Sequence, residues 1–263
     1  MNALEKQMYE ILKKLRDESG VVGVKAEFEA EGTRLDELLR LVEIVRKSNL
    51  KLGIKIGGCE AMKDLMECKQ IGVDYIIAPM VETPYALQKF IQAKNKVFLN
   101  EEKKDTIFLI NVETKQTFEN IEQIINFTKK NKNELDGLVF GRTDYTLSCN
   151  YDKNEVNSEK VTNDIKIVSK LCKENDLQLV VGGGVSIDAI PCLNQISQIH
   201  LNRFETRKII FSKESLNIKS LKDTMLNVVR FELSWLRNKK NYYENIFKED
   251  DSRIKILSDR WGV

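Results

Sequence analysis

Short apolar runs alternate with amphipathic stretches along most of the chain. The runs at 21–28, 52–58, 74–81, 106–113, 137–144, 177–184 and 198–205 predict strands, and 208–211 (KIIF) predicts an eighth. Several are apolar at consecutive positions, as expected where helices cover both faces of a parallel sheet. Between them, Leu35, Leu38, Leu39, Val42 and Val45 fall on one helical face, as do Phe118, Ile121, Ile124 and Ile125. Thr83-Pro84 reads as an N-cap followed by proline at the first helical position. Residues 1–17 read as a helix carrying Leu4, Met8, Ile11, Leu12 and Leu15. Beyond 215 the pattern is purely helical, with Leu221, Met225, Val228, Val229 and Leu236 on one stripe. This alternation predicts a (β/α)8 TIM barrel at residues 1–214. Residues 215–263 are then C-terminal helices packed on the barrel or on a neighbouring subunit.

A length of 263 residues suits one such barrel, and 42% hydrophobic residues suffice for a large core. The 42 basic and 40 acidic residues nearly cancel, which leaves no electrostatic reason for a nucleic-acid partner or an anionic membrane surface. No apolar run approaches the ~20 residues of a membrane span, and the N-terminus lacks a signal-peptide pattern. Five widely spaced cysteines with no C-x-x-C suit reduced thiols, hence an expected cytoplasmic location. The single histidine, His200, excludes a two-histidine metal site within one chain. Any chemistry therefore falls mainly to carboxylates, lysines and arginines.

In a barrel of this kind the site lies where strands end. Those ends carry Lys25, Glu27 and Glu29, then Arg34; Lys55 with Gly57-Gly58; Glu82; Asn111 and Glu113; Arg142 and Asp144; Gly182-Gly183-Gly184; and Glu205 with Arg207. Glu113 and Asp144 sit within otherwise apolar segments, where a carboxylate must be paired or bound to a cation. A divalent metal is one solution, and an ion pair with Lys55, Arg142 or Arg207 is the other.

The run Ile110-Asn111-Val112-Glu113-Thr114, then Asn120 to Ile124, then Asp136-Gly137 through Gly141-Arg142-Thr143-Asp144-Tyr145 resembles the HpcH/HpaI aldolase and citrate-lyase β-subunit family. The stretch Ile77-Ala78-Pro79-Met80-Val81 is similar to the "IPMV" strand of the same family, and the likeness extends over roughly Val21 to Arg207. The resemblance implies that Glu113 and Asp144 bind Mg²⁺ or Mn²⁺, with open positions for substrate. It also implies a carbon–carbon lyase or aldolase acting on pyruvate, oxaloacetate or a phosphoenolpyruvate-like acid through a metal-stabilised enolate. Its C-terminal helices imply a homo-oligomer, a trimer or hexamer.

The chain departs from that pattern at several places. Lys55 stands where the aldolases have an arginine, which keeps the charge but loses the bidentate fork. The histidine used as acid/base at the first aligned strand is absent, so Glu27 or Glu29 is the candidate base. Arg142, two residues before Asp144 on what reads as the same strand face, is a candidate ligand for an anionic group. Lys25, Arg34, Gly58, Glu82, Gly183 and Arg207 are the further substrate-binding candidates for a small anionic molecule. Enolpyruvyl, phosphoryl or acyl-thioester chemistry, or a non-catalytic metabolite-binding barrel, are the alternatives.

Overall fold

The apolar runs become strands in the computed structural model, which describes residues 1–130, 134–218 and 220–262. These are β1 (Val21–Glu27), β2 (Lys51–Lys55), β3 (Tyr75–Ala78), β4 (Ile107–Val112), β5 (Gly137–Gly141), β6 (Gln178–Gly182), β7 (Arg203–Glu205) and β8 (Ile209–Ser212). They close into one barrel in chain order. From β1 to β7 all neighbours are parallel, with Lys25 opposite Gly53 and Asn111 opposite Val139. The 208–211 run does close the barrel, but β8 is antiparallel to both β7 and β1. The reason is length. Three residues link β7 to β8, whereas a parallel return needs a crossover of a dozen or more.

The helices are α1 (Ala3–Ser19), α2 (Leu35–Lys47), α3 (Met62–Ile71), α4 (Pro84–Val97), α5 (Lys115–Glu119), α6 (Ile121–Lys130), α7 (Arg142–Ser148), α8 (Glu159–Glu174), α9 (Ile190–Ser197) and α10 (Leu221–Trp261). Thr83 caps α4 as expected, its hydroxyl accepting from the Ala86 N–H at 3.1 Å. In α2 the buried stripe is Leu38, Leu41, Val42, Ile44 and Val45, while Leu35 and Leu39 are exposed. The C-terminal residues form one 41-residue helix rather than several, about 60 Å long at 1.5 Å per residue. Its first half packs antiparallel on α1. Ser19 and Thr224 hydroxyls meet at one end (2.9 Å), and Asn2 donates to Asn238 at the other (2.6 Å). Met225 and Val228 of the expected stripe are buried with Phe231 and Trp235, whereas Val229 and Leu236 are exposed. No described helix is long and apolar enough to cross a membrane.

A repeated device sets register at the N-terminal end of the barrel. Asp74, just before β3, accepts the Leu52 N–H of β2 through its carboxylate (2.8 Å). Asp136 does the same for Phe108 (2.7 Å), and Asn202 for Leu179 (2.8 Å). Each also donates its own N–H to the carbonyl of the residue it caps. Inside the barrel, Ile77, Leu109, Val139 and Val180 form an apolar cluster separate from the main core beneath the helices. On β6 this belt sits at Val180, with polar Gln178 on one side and Gly182 on the other, which opens the two ends of the lumen to different chemistry.

Candidate active site

At the C-terminal end of the strands lies a cavity of about 420 Å³. Strand alternation delivers its side chains: Lys25 and Glu27 from β1, Lys55 from β2, Asn111 from β4 with Glu113 just past its end, Glu205 from β7. Glu29, Asp144, Gly183 and Arg207 reach it from the loops and helices that follow.

Glu113 is 1% exposed and held on three sides. Its Oε2 accepts from Lys55 Nζ (2.9 Å) and Asn111 Nδ2 (2.6 Å), and its Oε1 from the Met80 N–H (3.2 Å). Met80 adopts φ 52°, a conformation non-glycine residues rarely take. That turn at the end of β3 is what aims its amide at the carboxylate. Lys55 also pairs with Glu29 at 2.9 Å. Burial works to lower the pKa of Lys55, but the charges of Glu113 and Glu29 outweigh it and raise the value above that of an ordinary lysine. Lys25 is treated similarly, with burial outweighed by Glu205 (2.6 Å) and Glu27 (3.3 Å).

Asp144 differs from these. Among the described residues it has no ion pair and no hydrogen bond from a donor. Partial desolvation and then the negative charge of Glu113 push its pKa up, with Lys55 opposing and Glu29 and Glu27 reinforcing. Counting the lining charges, five carboxylates (Glu27, Glu29, Glu113, Asp144, Glu205) face three cations (Lys25, Lys55, Arg207). The cavity thus carries excess negative charge beside a carboxylate that lacks a counter-ion.

A hard divalent cation fits this arrangement. A carboxylate offers about four lone-pair positions, and Glu113 uses three, so Oε1 retains one. Asp144 retains both oxygens. Gly141 leaves room here, since a Cβ on it would lie 3.1 Å from the Glu113 Cβ. Among the described residues no group of three or more His, Cys, Asp or Glu is placed to hold a metal ion. An ion at Glu113 and Asp144 would therefore have to be one that takes one or two carboxylates and fills its other positions with water or substrate, as Mg²⁺ does.

The structure brings together Lys25, Glu27, Glu29, Lys55, Glu113, Asp144, Gly183 and Arg207 from the sequence candidates. It separates four others. Arg142 opens α7 instead of ending β5, so Arg142 and Asp144 are two residues apart on a helix and point to different sides. Arg142 is fully buried, donating from Nε to the Gly182 carbonyl (3.3 Å) and from Nη1 to Asn157 Oδ1 (2.8 Å). Burial lowers its pKa. Arg34 lies outside the cavity, stacked near Tyr243 of α10 and paired with Asp36. Glu82 accepts from the Thr114 hydroxyl (2.7 Å), and Gly58 lies in the loop before α3. Of the three arginines expected to bind an anionic group, only Arg207 lines the cavity, itself 3.7 Å from Glu31. His200 lies after α9 rather than in a strand, its Nε2 2.9 Å from the Leu177 carbonyl.

Asn111 and Glu205 are site residues whose roles the sequence did not reveal. Each has a signal in hindsight. Asn111 is two residues before Glu113, and Glu205 ends a strand whose first residue is Arg203, so alternation turns both inward. Among the described residues Asn111 Oδ1 is buried without a hydrogen-bond partner, and Asn111 lines the cavity.

The sequence profile of the HpcH/HpaI aldolase/citrate lyase family matches residues 29–189. No curated protein sequence matches the chain. Among solved structures, an HpcH/HpaI aldolase from Desulfitobacterium hafniense DCB-2 superposes with a TM-score of 0.60 at 11% identity, covering 83% of this chain and 87% of that one. An HpcH/HpaI aldolase/citrate lyase family protein from Burkholderia cenocepacia J2315 gives 0.59 at 11% identity, covering 87% and 99%. A variant of the citrate synthase SbnG gives 0.53 at 11%, covering 75% and 81%. At these identities the likeness establishes the fold alone.

Proposed function

From the premise that this chain belongs to the HpcH/HpaI aldolase/citrate lyase family, we propose that it is a divalent-metal-dependent carbon–carbon lyase or aldolase acting on a 2-oxo acid. The observation that carries this reading is the pair Glu113 and Asp144, the one with a single unused acceptor position and the other with no counter-ion, in one cavity. These two residues hold the ion, Mg²⁺ or Mn²⁺. When bound, such an ion supplies Lewis-acid stabilisation of negative charge on the keto oxygen of a chelating 2-oxo acid.

The chain's own residues do the rest. Lys55, fixed between Glu113 and Glu29, sets a positive charge beside the metal carboxylate, which favours enolate formation electrostatically. Asn111 Oδ1 offers an acceptor to substrate or water in the cavity. Glu27 is the preferred base: it is buried at the end of β1, and its pairing with Lys25 is the longer of that lysine's two contacts. Glu29 is tied to Lys55 at 2.9 Å and serves chiefly to hold it. With Arg207 as the remaining cation at the rim, the favoured substrate is small and carries one carboxylate beyond the chelating group, or none.

The test is exchange of pyruvate methyl protons in deuterated water, followed by NMR with and without Mg²⁺ or Mn²⁺. Exchange should require the ion and fall at least ~100-fold in Glu113→Gln and Asp144→Asn, the loss expected when a key electrostatic group is removed. Metal-independent exchange, or full exchange in both variants, refutes the reading. We assign the protein to the cytoplasm on its reduced-thiol composition.

A further inference from the structure

The opposite, N-terminal mouth of the barrel holds a second polar cavity of about 370 Å³, lined by Lys51, Tyr75, Gln178, Asn202, Arg203 and Ser212 among others. It belongs to a different rung of the lumen from the candidate active site. Gln178 and Gly182 stand four residues apart on β6, about 13 Å at the usual rise. Between them lies the apolar belt of Ile77, Leu109, Val139 and Val180.

Two cations converge there with no ion pair among the described residues, the charges of Glu205 and Asp136 acting on Arg203 only at longer range. Arg203 lies with its guanidinium carbon 4.6 Å from the centre of the Tyr75 ring, and Lys51 Nζ lies 5.4 Å from the same ring. Among the described residues neither makes an ion pair. One terminal nitrogen of Arg203 is buried with no hydrogen-bond partner, and so is the side-chain oxygen of Gln178. The carboxylates at this end accept backbone N–H groups, Asp136 that of Phe108 and Asp74 that of Leu52; Asp136 acts on Arg203 through its field without forming an ion pair. A desolvated guanidinium with an unused donor is costly unless something anionic completes it. The aromatic face of Tyr75 offsets part of that cost. It does not supply an acceptor for the N–H.

We propose that this mouth is an oxyanion-binding site for a phosphate group, held by Arg203 and Lys51. Arginine presents a planar fork that matches phosphate oxygens, and lysine adds a point charge from the exposed rim. The Gln178 amide, turned so that its NH2 group faces the anion, gives a further donor and removes its unpartnered oxygen from the buried side. The ligand class is inorganic phosphate or a small phosphate monoester. The site is separate from the carboxylate-rich cavity, whose excess negative charge disfavours such a dianion.

Isothermal titration of the 263-residue chain with inorganic phosphate tests this. Saturable binding of one phosphate per chain is expected. Affinity should fall about tenfold or more in Lys51→Gln, should be lost in Arg203→Gln, and should be unchanged in Arg207→Gln at the other end of the barrel. Absence of saturable binding overturns the proposal, as does binding that survives Arg203→Gln or disappears in Arg207→Gln. If Arg203→Gln does not fold, Lys51→Gln decides alone, because Lys51 is exposed and among the described residues its ammonium meets only the face of Tyr75; unchanged affinity there refutes the site.

Discussion

Replacing Lys55 by Met removes the ammonium group that lies 2.9 Å from Glu113 Oε2 and 2.9 Å from Glu29. The Lys55 side chain is 8% exposed and that of Glu113 1%, so the lost partner leaves a carboxylate that water cannot readily reach. Two hydrogen bonds remain to Glu113, from Asn111 and Met80, but neither carries a positive charge. Breaking one side of a buried pair costs about 3–5 kcal/mol. At about 2–3 °C per kcal/mol for a chain of this size, the melting temperature should fall by about 6–15 °C. Adding Glu113→Gln should recover much of that loss, because the uncompensated charge is then gone and the two effects are coupled. The assay is thermal and denaturant unfolding of the wild type, both single variants and the double variant, in metal-free buffer. The pH dependence has a definite sign. Lys55 has a raised folded-state pKa, so its contribution is complete below the unfolded lysine value of about 10.4 and is lost as pH rises through the higher folded value. The gap between wild type and Lys55→Met should stay constant from neutrality towards pH 10 and narrow above it. A melting temperature within ~2 °C of wild type, or a double variant that loses the full sum of the single effects, refutes the reasoning.

Asp144→Asn should act in the opposite direction. Its folded pKa is raised, so the native state binds more protons than the unfolded chain, and stability falls as pH rises from the unfolded carboxylate value through the folded one. The variant should therefore melt higher than wild type at neutral pH without metal and show a flatter profile as pH rises above about 4. It should also lose the metal-induced rise in melting temperature, which for wild type corresponds to about 2.7 kcal/mol at 100 times Kd. We further propose that the second half of α10, where Ile246, Phe247, Ile254, Ile256, Leu257 and Trp261 are exposed, joins subunits into a trimer or hexamer. Removing residues 246–263 should convert that oligomer to a monomer by light scattering after gel filtration, and an unchanged mass refutes the assignment.

Much of the architecture was legible because it rests on local patterns. Consecutive apolar residues marked seven buried strands, the Thr83-Pro84 pair marked the start of α4, and the KIIF run marked the strand that closes the barrel. Even the antiparallel sense of β8 was readable in principle from the three-residue link before it. Helix faces were less so. Leu35 and Leu39 share the period of the buried residues in α2, but the width of the apolar stripe is set by what packs against it.

The candidate site divides in the same way. That Glu113 and Asp144 belong together follows from order and spacing along the chain, although Asp144 stands in the first turn of α7 and not at the end of β5. Where Arg142 points does not. Its direction depends on the backbone passing from strand to helix at Gly141, and one residue of difference there turns the side chain from the cavity to the interior behind α7. The Lys55–Glu113 pair was one of the two solutions the sequence offered for a buried carboxylate, but spacing could not disclose that Glu29 also holds Lys55 or that Glu27 and Glu205 lock Lys25, since those partners are up to 180 residues away. The sequence by itself determined the barrel and its closure and placed Glu113 and Asp144 in one cavity, because these depend on periodicity and order along the chain. Only the tertiary structure decided which cations remain available to a ligand, because availability depends on partners that closure of the barrel brings within ion-pair distance.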